Sequence, residues 1–225
     1  MFLVQKDVLV VPKTFPVGQS YTVLYRMLYN VGMFTGIITH LGTVKKKEKS
    51  VFTFMADDGF VAKLDAGTSV AVNGVCLTVL EKPHDSSFSV EVMPETEKKT
   101  NMQHLNDSDL VNLELPATPE TFLSGHIVQG HVDAVAEITD IQPDGNSYLF
   151  TFAIPEAISK YIVAKGSITV NGISLTVIAI TDNEFTVGII PHTWENTMLH
   201  TAKRGEYANI EVDVLAKYVE KLVQK

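Results

Sequence analysis

One segment of this 225-residue chain occurs twice. Val72-Asn73-Gly74-Val75-Cys76-Leu77-Thr78-Val79 returns 98 residues later as Val170-Asn171-Gly172-Ile173-Ser174-Leu175-Thr176-Val177. The agreement continues in order. Met93-Pro94-Glu95-Thr96 aligns with Ile190-Pro191-His192-Thr193, and Val111-Asn112-Leu113-Glu114 with Ala208-Asn209-Ile210-Glu211. Near the front of each copy, Thr35-Gly36-Ile37-Ile38 aligns with Gln129-Gly130-His131-Val132. A period of this length is domain-sized, so the chain is a tandem duplication and not a solenoid. Pro116, Pro119, Ser124 and Gly125 place the boundary between the copies.

Each copy reads as β. Val70 and Val72 alternate before Asn73-Gly74, and Val75, Leu77 and Val79 after it; Asn-Gly between alternating apolar residues signals a hairpin with a tight turn. Asn171-Gly172 repeats the signal. Further strands are expected at Val51–Met55, Phe88–Val92, Tyr148–Ala153 and Phe185–Ile189, a density that suits a six-stranded barrel per copy. Pro155–Val163 has helix spacing. From Val214 to Lys225, Leu215, Tyr218, Val219, Leu222 and Val223 fall on one face of an amphipathic helix. That face needs a partner, either its own barrel or another subunit.

Composition excludes several classes. Apolar residues make up 45% and charged residues 20%, with a net charge of −8, so there is no basic footprint for nucleic acid. The run Val8–Val11 ends at Pro12 and Lys13, far short of a membrane span. A single cysteine, Cys76, permits no intrachain disulfide, and a cytoplasmic location is the expectation. His126 and His131 lack a third ligand at metal-site spacing, so no metal is expected.

Over residues 33–225 these motifs resemble the riboflavin synthase family. The resemblance rests on Met33-Phe34-Thr35-Gly36-Ile37-Ile38, the paired Asn-Gly-x-[Cys/Ser]-Leu-Thr-Val strands, Gly125-His126-Ile127-Val128-Gln129-Gly130-His131-Val132-Asp133, and Ile190-Pro191-His192-Thr193 followed by Glu195-Asn196-Thr197. It implies an all-β fold, a tandem pair of six-stranded Greek-key barrels of flavin-reductase-like type with a C-terminal α-helix. The expected divisions are an extension of unknown role at 1–32, lumazine-binding barrels at 33–122 and 123–212, and a trimerisation helix at 213–225. The implied reaction is a cofactor-free dismutation of 6,7-dimethyl-8-ribityllumazine, in a homotrimer whose active sites lie between the N-terminal barrel of one subunit and the C-terminal barrel of a neighbour. Whether such a trimer associates with lumazine synthase is left open.

By the same resemblance, Cys76, His126, Phe34 and Ser174 carry catalysis. Gly36, Ile38, Ser69, Thr78, Met93, Thr96, Gly130, Val132, Lys165, Thr176, Ile190 and Thr193 contact substrate. Under the resemblance Cys76 is either an attacking thiolate or a polar pocket wall, with Ser174 its less acidic counterpart; read without the family, Cys76 is a half-buried strand cysteine. The resemblance implies that His126 is a base or substrate contact, that Phe34 is a ring closing over a flat ligand and that Lys165 lies near the second pocket; without it, His131 is a structural histidine and Lys165 an exposed turn lysine. The chain departs from the family pattern at Glu97, Trp194 and Asn171, the last standing where an aspartate is common; an amide there hydrogen-bonds but is no anionic base. The rival readings are a non-catalytic lumazine- or flavin-binding antenna protein of the same fold, and a flavin reductase, for which no Gly-x-Gly-x-x-Gly follows a strand.

Overall fold

The computed structural model describes residues 33–224, so the expectation for residues 1–32 lies outside the described residues. Among the described residues, twelve strands form two sheets of six. The first contains β1 (His40–Glu48), β2 (Val51–Met55), β3 (Ser69–Val72), β4 (Val75–Thr78), β5 (Ser87–Glu91) and β6 (Leu110–Glu114), in the order β4-β3-β6-β1-β2-β5. The second contains β7 (Ala134–Asp144), β8 (Ser147–Ala153), β9 (Ser167–Val170), β10 (Ile173–Ile180), β11 (Glu184–Ile189) and β12 (Tyr207–Val212). It closes as β10-β11-β8-β7-β12-β9, the same circuit. In the first copy β4 is short, and closure onto β5 is made by the Val79↔Val90 bridge and the Leu80 N–H donating to the Ser89 carbonyl at 2.9 Å. Register breaks at Val44/Lys46 and Ile138/Asp140 bend the long first strand of each barrel, as closing a small barrel requires.

Alternation explains the cores. On β2, Phe52 and Phe54 point inward and Phe54 meets Phe88, and on β8, Phe150 and Phe152 point inward and Phe152 meets Phe185. All six rings are essentially buried, each burying on the order of 2–3 kcal/mol of apolar surface. Short helical turns plug the barrel ends: α1 (Asp58–Val61) buries Phe60 and Val61, and a 3-10 turn at Glu156–Tyr161 buries Ile158. The helix expected at Pro155–Val163 is this single 3-10 segment, because so short a run gains too few bonds to propagate as α. Helices α2 (Pro94–Lys99) and α3 (Pro191–Asn196) follow β5 and β11 at matching positions. The C-terminal helix α4 (Val214–Val223) starts at Asp213, whose side chain accepts the Leu215 N–H at 2.9 Å. No helix among the described residues is long and apolar enough to cross a membrane.

The barrels meet through their Asn-Gly turns. Asn73 and Gly74 have φ of 46° and 75°, and Asn171 and Gly172 have 46° and 81°, left-handed at both positions as a tight hairpin turn demands. The two glycines pack against each other; a β-carbon on Gly74 would lie 2.6 Å from the Gly172 nitrogen. Gly74→Ala is therefore expected to cost at least about 3 kcal/mol in urea unfolding, against about 1 kcal/mol for Gly145→Ala, where φ is also positive but nothing lies within reach. Equal losses would show that the turn conformation alone matters.

Candidate functional site

Short arms ahead of each barrel build the site. In the first arm, the Thr35 N–H and hydroxyl donate to Glu114 at 2.7 and 2.8 Å, and the Gly36 N–H at 3.1 Å. In the second, the Gln129 N–H donates to Glu211 at 2.6 Å. Each arm is thus tied to the last strand of its own barrel, yet its glycine lies on the other one. The Gly36 carbonyl accepts the Ser174 N–H at 2.7 Å, and the Gly130 carbonyl accepts the Cys76 N–H at 2.9 Å. No β-carbon fits at either glycine, since each would approach Ser174 or Cys76 to 2.6 Å. Both glutamates are buried, which pushes their carboxyls above the usual range against the pull of the arm N–H groups.

Two clefts result. Cys76, Met93, Thr96, Gly130, His131 and Val132 are among the residues lining one of about 260 Å³ against the first barrel. Ser174, Thr176, Ile178, Gly188, Ile190 and Thr193 line much of another, of about 430 Å³, against the second. Cys76/Ser174, Met93/Ile190 and Thr96/Thr193 are the same positions of the repeat, so the clefts are pseudo-equivalent. Met93 and Ile190 are strongly exposed apolar side chains, suited to the flat face of a ring.

Nearby chemistry differs between the copies. His126 is buried; its Nδ1 hydrogen-bonds with Ser174 Oγ at 2.7 Å and its Nε2 with Thr169 Oγ1 at 3.1 Å. Burial lowers its pKa below the ordinary imidazole value, opposed by the charge of Asp213, so the ring is neutral near pH 7. Cys76 instead sits with Phe34, Ala71 and Val128 in an apolar cluster. Burial pushes its thiol up, the hydrogen bond with Ser69 pulls it down, and Glu211 adds to the rise. A thiol held protonated near neutrality matches the pocket-wall reading better than the attacking thiolate.

A family model described as the lumazine binding domain matches residues 35–116 and again 129–213. A riboflavin synthase of Mycobacterium tuberculosis is 43% identical over 198 residues, covering 85% of this chain and 98% of that one. Those of Photobacterium phosphoreum and Schizosaccharomyces pombe are 41% and 38% identical over 85% of this chain, and cover 89% and 94% of their own. The chain belongs to the riboflavin synthase family. Solved structures of LumP with riboflavin and with 6,7-dimethyl-8-(1'-D-ribityl)lumazine superpose with TM-scores of 0.72 and 0.71 at 23% and 22% identity, over 80% of this chain and 98% of theirs; they share the fold.

Against that family frame, most residues expected at the site converge, and several do not. Ser69 and Thr78 are register partners beside Cys76. Ile38 packs on the second barrel's core and Val132 on the first's, which repeats the exchange of the arms. Phe34 is fully buried, bridged to Val128 across the arms and packed against Cys76, so it backs the pocket wall where a ring closing over the ligand was expected. Lys165 is exposed at a left-handed turn, its N–H donating to the Val177 carbonyl at 2.8 Å, and does not line the cleft. Asn171 is buried in the contact between barrels, away from both clefts. His131, expected as structural, is exposed on the first cleft. Its alignment with Ile37, next to the arm glycine, was the available signal. The repeat aligned Glu114 with Glu211 but gave them no role, and Thr169 was not singled out, because a threonine on a strand carries no motif.

Alkylation tests the state of the thiol. Cys76, the sole cysteine, is expected to react with iodoacetamide near neutral pH at least roughly tenfold more slowly in the folded protein than in urea. Because its pKa is raised, the folded-state rate should keep climbing with pH after the unfolded rate has levelled. Equal rates would mean a thiol as accessible and as acidic as in the unfolded chain, and a faster folded rate would mean a thiolate.

Proposed function

We propose that the protein is a transferase that dismutates two molecules of 6,7-dimethyl-8-ribityllumazine, passing a four-carbon unit from one to the other to give riboflavin and 5-amino-6-(D-ribitylamino)pyrimidine-2,4-dione. The observation that carries this reading is the pair of pseudo-equivalent clefts, one per barrel, lined at Cys76/Ser174, Met93/Ile190 and Thr96/Thr193 by the same positions of the repeat. A reaction between two copies of one compound asks for two copies of one pocket, and holding both raises their effective concentration. The two products account for every atom of the two substrates, so the reaction needs no co-reactant.

Within this reading, Met93 with Thr96 and Ile190 with Thr193 hold the two ring systems, and the arm residues Gly36 and Gly130 close the inner edges. The lumazine 7-methyl group is acidic because its carbanion is delocalised into the heterocycle, so a neutral imidazole acting with a hydroxyl is a sufficient base. His126 with Ser174 fills that role, and Cys76 bounds the other pocket. The antenna reading is weaker, since both clefts keep polar walls. A single cysteine asks for no oxidising compartment, which supports a cytoplasmic location.

The chain is proposed to work as a homotrimer. The support is α4, which exposes Tyr218 at 60% and Leu222 at 81% while Glu220 reaches back to Lys160 and Tyr161. An apolar stripe of this kind calls for a partner.

Two measurements test these statements. The purified protein given the lumazine alone should yield riboflavin and the pyrimidinedione in equal amounts; binding without turnover would favour the antenna reading. Sedimentation should give a trimer that Leu222→Asp breaks to monomers, with at least a roughly tenfold loss of turnover. A monomeric wild type that turns over would overturn the shared-site arrangement.

A further inference from the structure

We propose that Thr169 is a positioning residue, which holds His126 in the tautomer that can take the proton of Ser174 on the second barrel's cleft. The inference rests on the dismutase reading above. It begins from the difference between the copies. Thr169 and Ser174 are register partners on β9 and β10, and their counterparts on β3 and β4 are Ala71 and Cys76. Counting back from the paired arm glycines Gly130 and Gly36, the counterpart of His126 is Gly32. The second barrel therefore has an imidazole between two hydroxyls, and the first has a methyl group and a thiol in an apolar cluster.

The hydroxyl at position 169 has a definite task. Ser174 stands on the cleft wall, and Nδ1 is within 2.7 Å of its oxygen. For Nδ1 to accept the serine proton, a neutral ring must carry its own proton on Nε2. That N–H is buried and needs an acceptor, and Thr169 Oγ1 lies at 3.1 Å. When the ring takes a second proton, the same contact steadies the cation, as an orienting group does behind a catalytic histidine. The charged groups beside the pair are Asp213, which acts on the imidazole through space, and Glu211, the register partner of Thr169 on β12. Glu211 Oε2 is buried without a hydrogen-bond partner among the described residues. Thr169 is essentially buried and is itself a lining residue of neither cleft, so its hydroxyl acts on substrate through His126.

Thr169→Val keeps the shape and removes the hydroxyl; Thr169→Ser restores it. Turnover of the lumazine should fall roughly tenfold or more in Thr169→Val with KM changed by less than about twofold, and return to within about threefold in Thr169→Ser. Nitrogen-15 spectra, with His126 assigned by its loss in His126→Gln, should show Nε2 protonated and Nδ1 bare in the wild type and in Thr169→Ser, and mixed tautomers in Thr169→Val. Unchanged turnover in Thr169→Val, a loss that serine does not recover, or unchanged ring nitrogens would overturn the assignment. If the wild type forms no riboflavin, the dismutase reading falls, and the nitrogen spectra alone still decide whether Thr169 sets the ring.

Discussion

The contact between two Asn-Gly turns fixes everything else in this molecule. Each turn is held from both sides. The Asn112 N–H donates to Asn73 in its own barrel, and its amide crosses to the Asn171 carbonyl; Asn209 donates to Asn171 and crosses to the Asn73 carbonyl. Asn101 joins the group through Asn171 and Asn209. These residues are almost wholly buried, and each amide left unpaired there would cost about 1–3 kcal/mol. The reciprocal bonds fix a single relation between the barrels, because a shift of one residue would orphan several donors at once. The asparagine at position 171 thus serves the interface, and no carboxylate is needed there for the fold.

That fixed relation lets the arms cross over. With the turns back to back, β4 and β10 of the two barrels come near each other's arms, and the glycines at 36 and 130 fill a gap too narrow for any side chain. The buried glutamates at the ends of β6 and β12 then anchor the arms by charge-assisted bonds. A wall of the first cleft, formed by Gly130, His131 and Val132, is consequently lent by the opposite module, so the first barrel would not present the same surface alone. The duplication is structural as well as functional: the second copy is needed to finish the first.

Much of this was legible in the residues. The Asn-Gly repeats gave both hairpins, and the strands expected at Val51–Met55 and Tyr148–Ala153 are present over those residues, since strand alternation is a local property. The site residues Cys76, Ser174, Met93 and Ile190 were found because the repeat aligned them. What stayed hidden depends on contacts far apart in sequence. Phe34 looks like an exposed residue near a motif, and only its bridge to Val128 buries it. Glu114 reaches back to Thr35 across most of a barrel. Asn101 reads as part of an ordinary loop until Asn209 is brought beside it. The C-terminal stripe showed its amphipathic pattern plainly, but whether the barrel covers it follows only from where the helix leaves Asp213.

Two similar pockets raise a problem that sequence identity between the copies would make worse. In a dismutation one molecule gives up carbon and the other receives it, so chemically identical sites would stabilise both roles equally and favour neither. The structure breaks that equality with very few substitutions on one outward face. Alanine and cysteine leave the first cleft backed by Phe34 and Val128, with a thiol that burial keeps protonated. Threonine and serine at the same two positions, with His126 laid over them, give the second cleft a neutral ring linked to the cleft wall. The barrel cores beneath are untouched by the difference, because those positions face out of the barrel while Ile168, Val170, Val70 and Val72 face in. Strand alternation thus separates two demands: the inward residues keep the barrels alike enough to dock as a pair, and the outward residues are free to make their sites unlike.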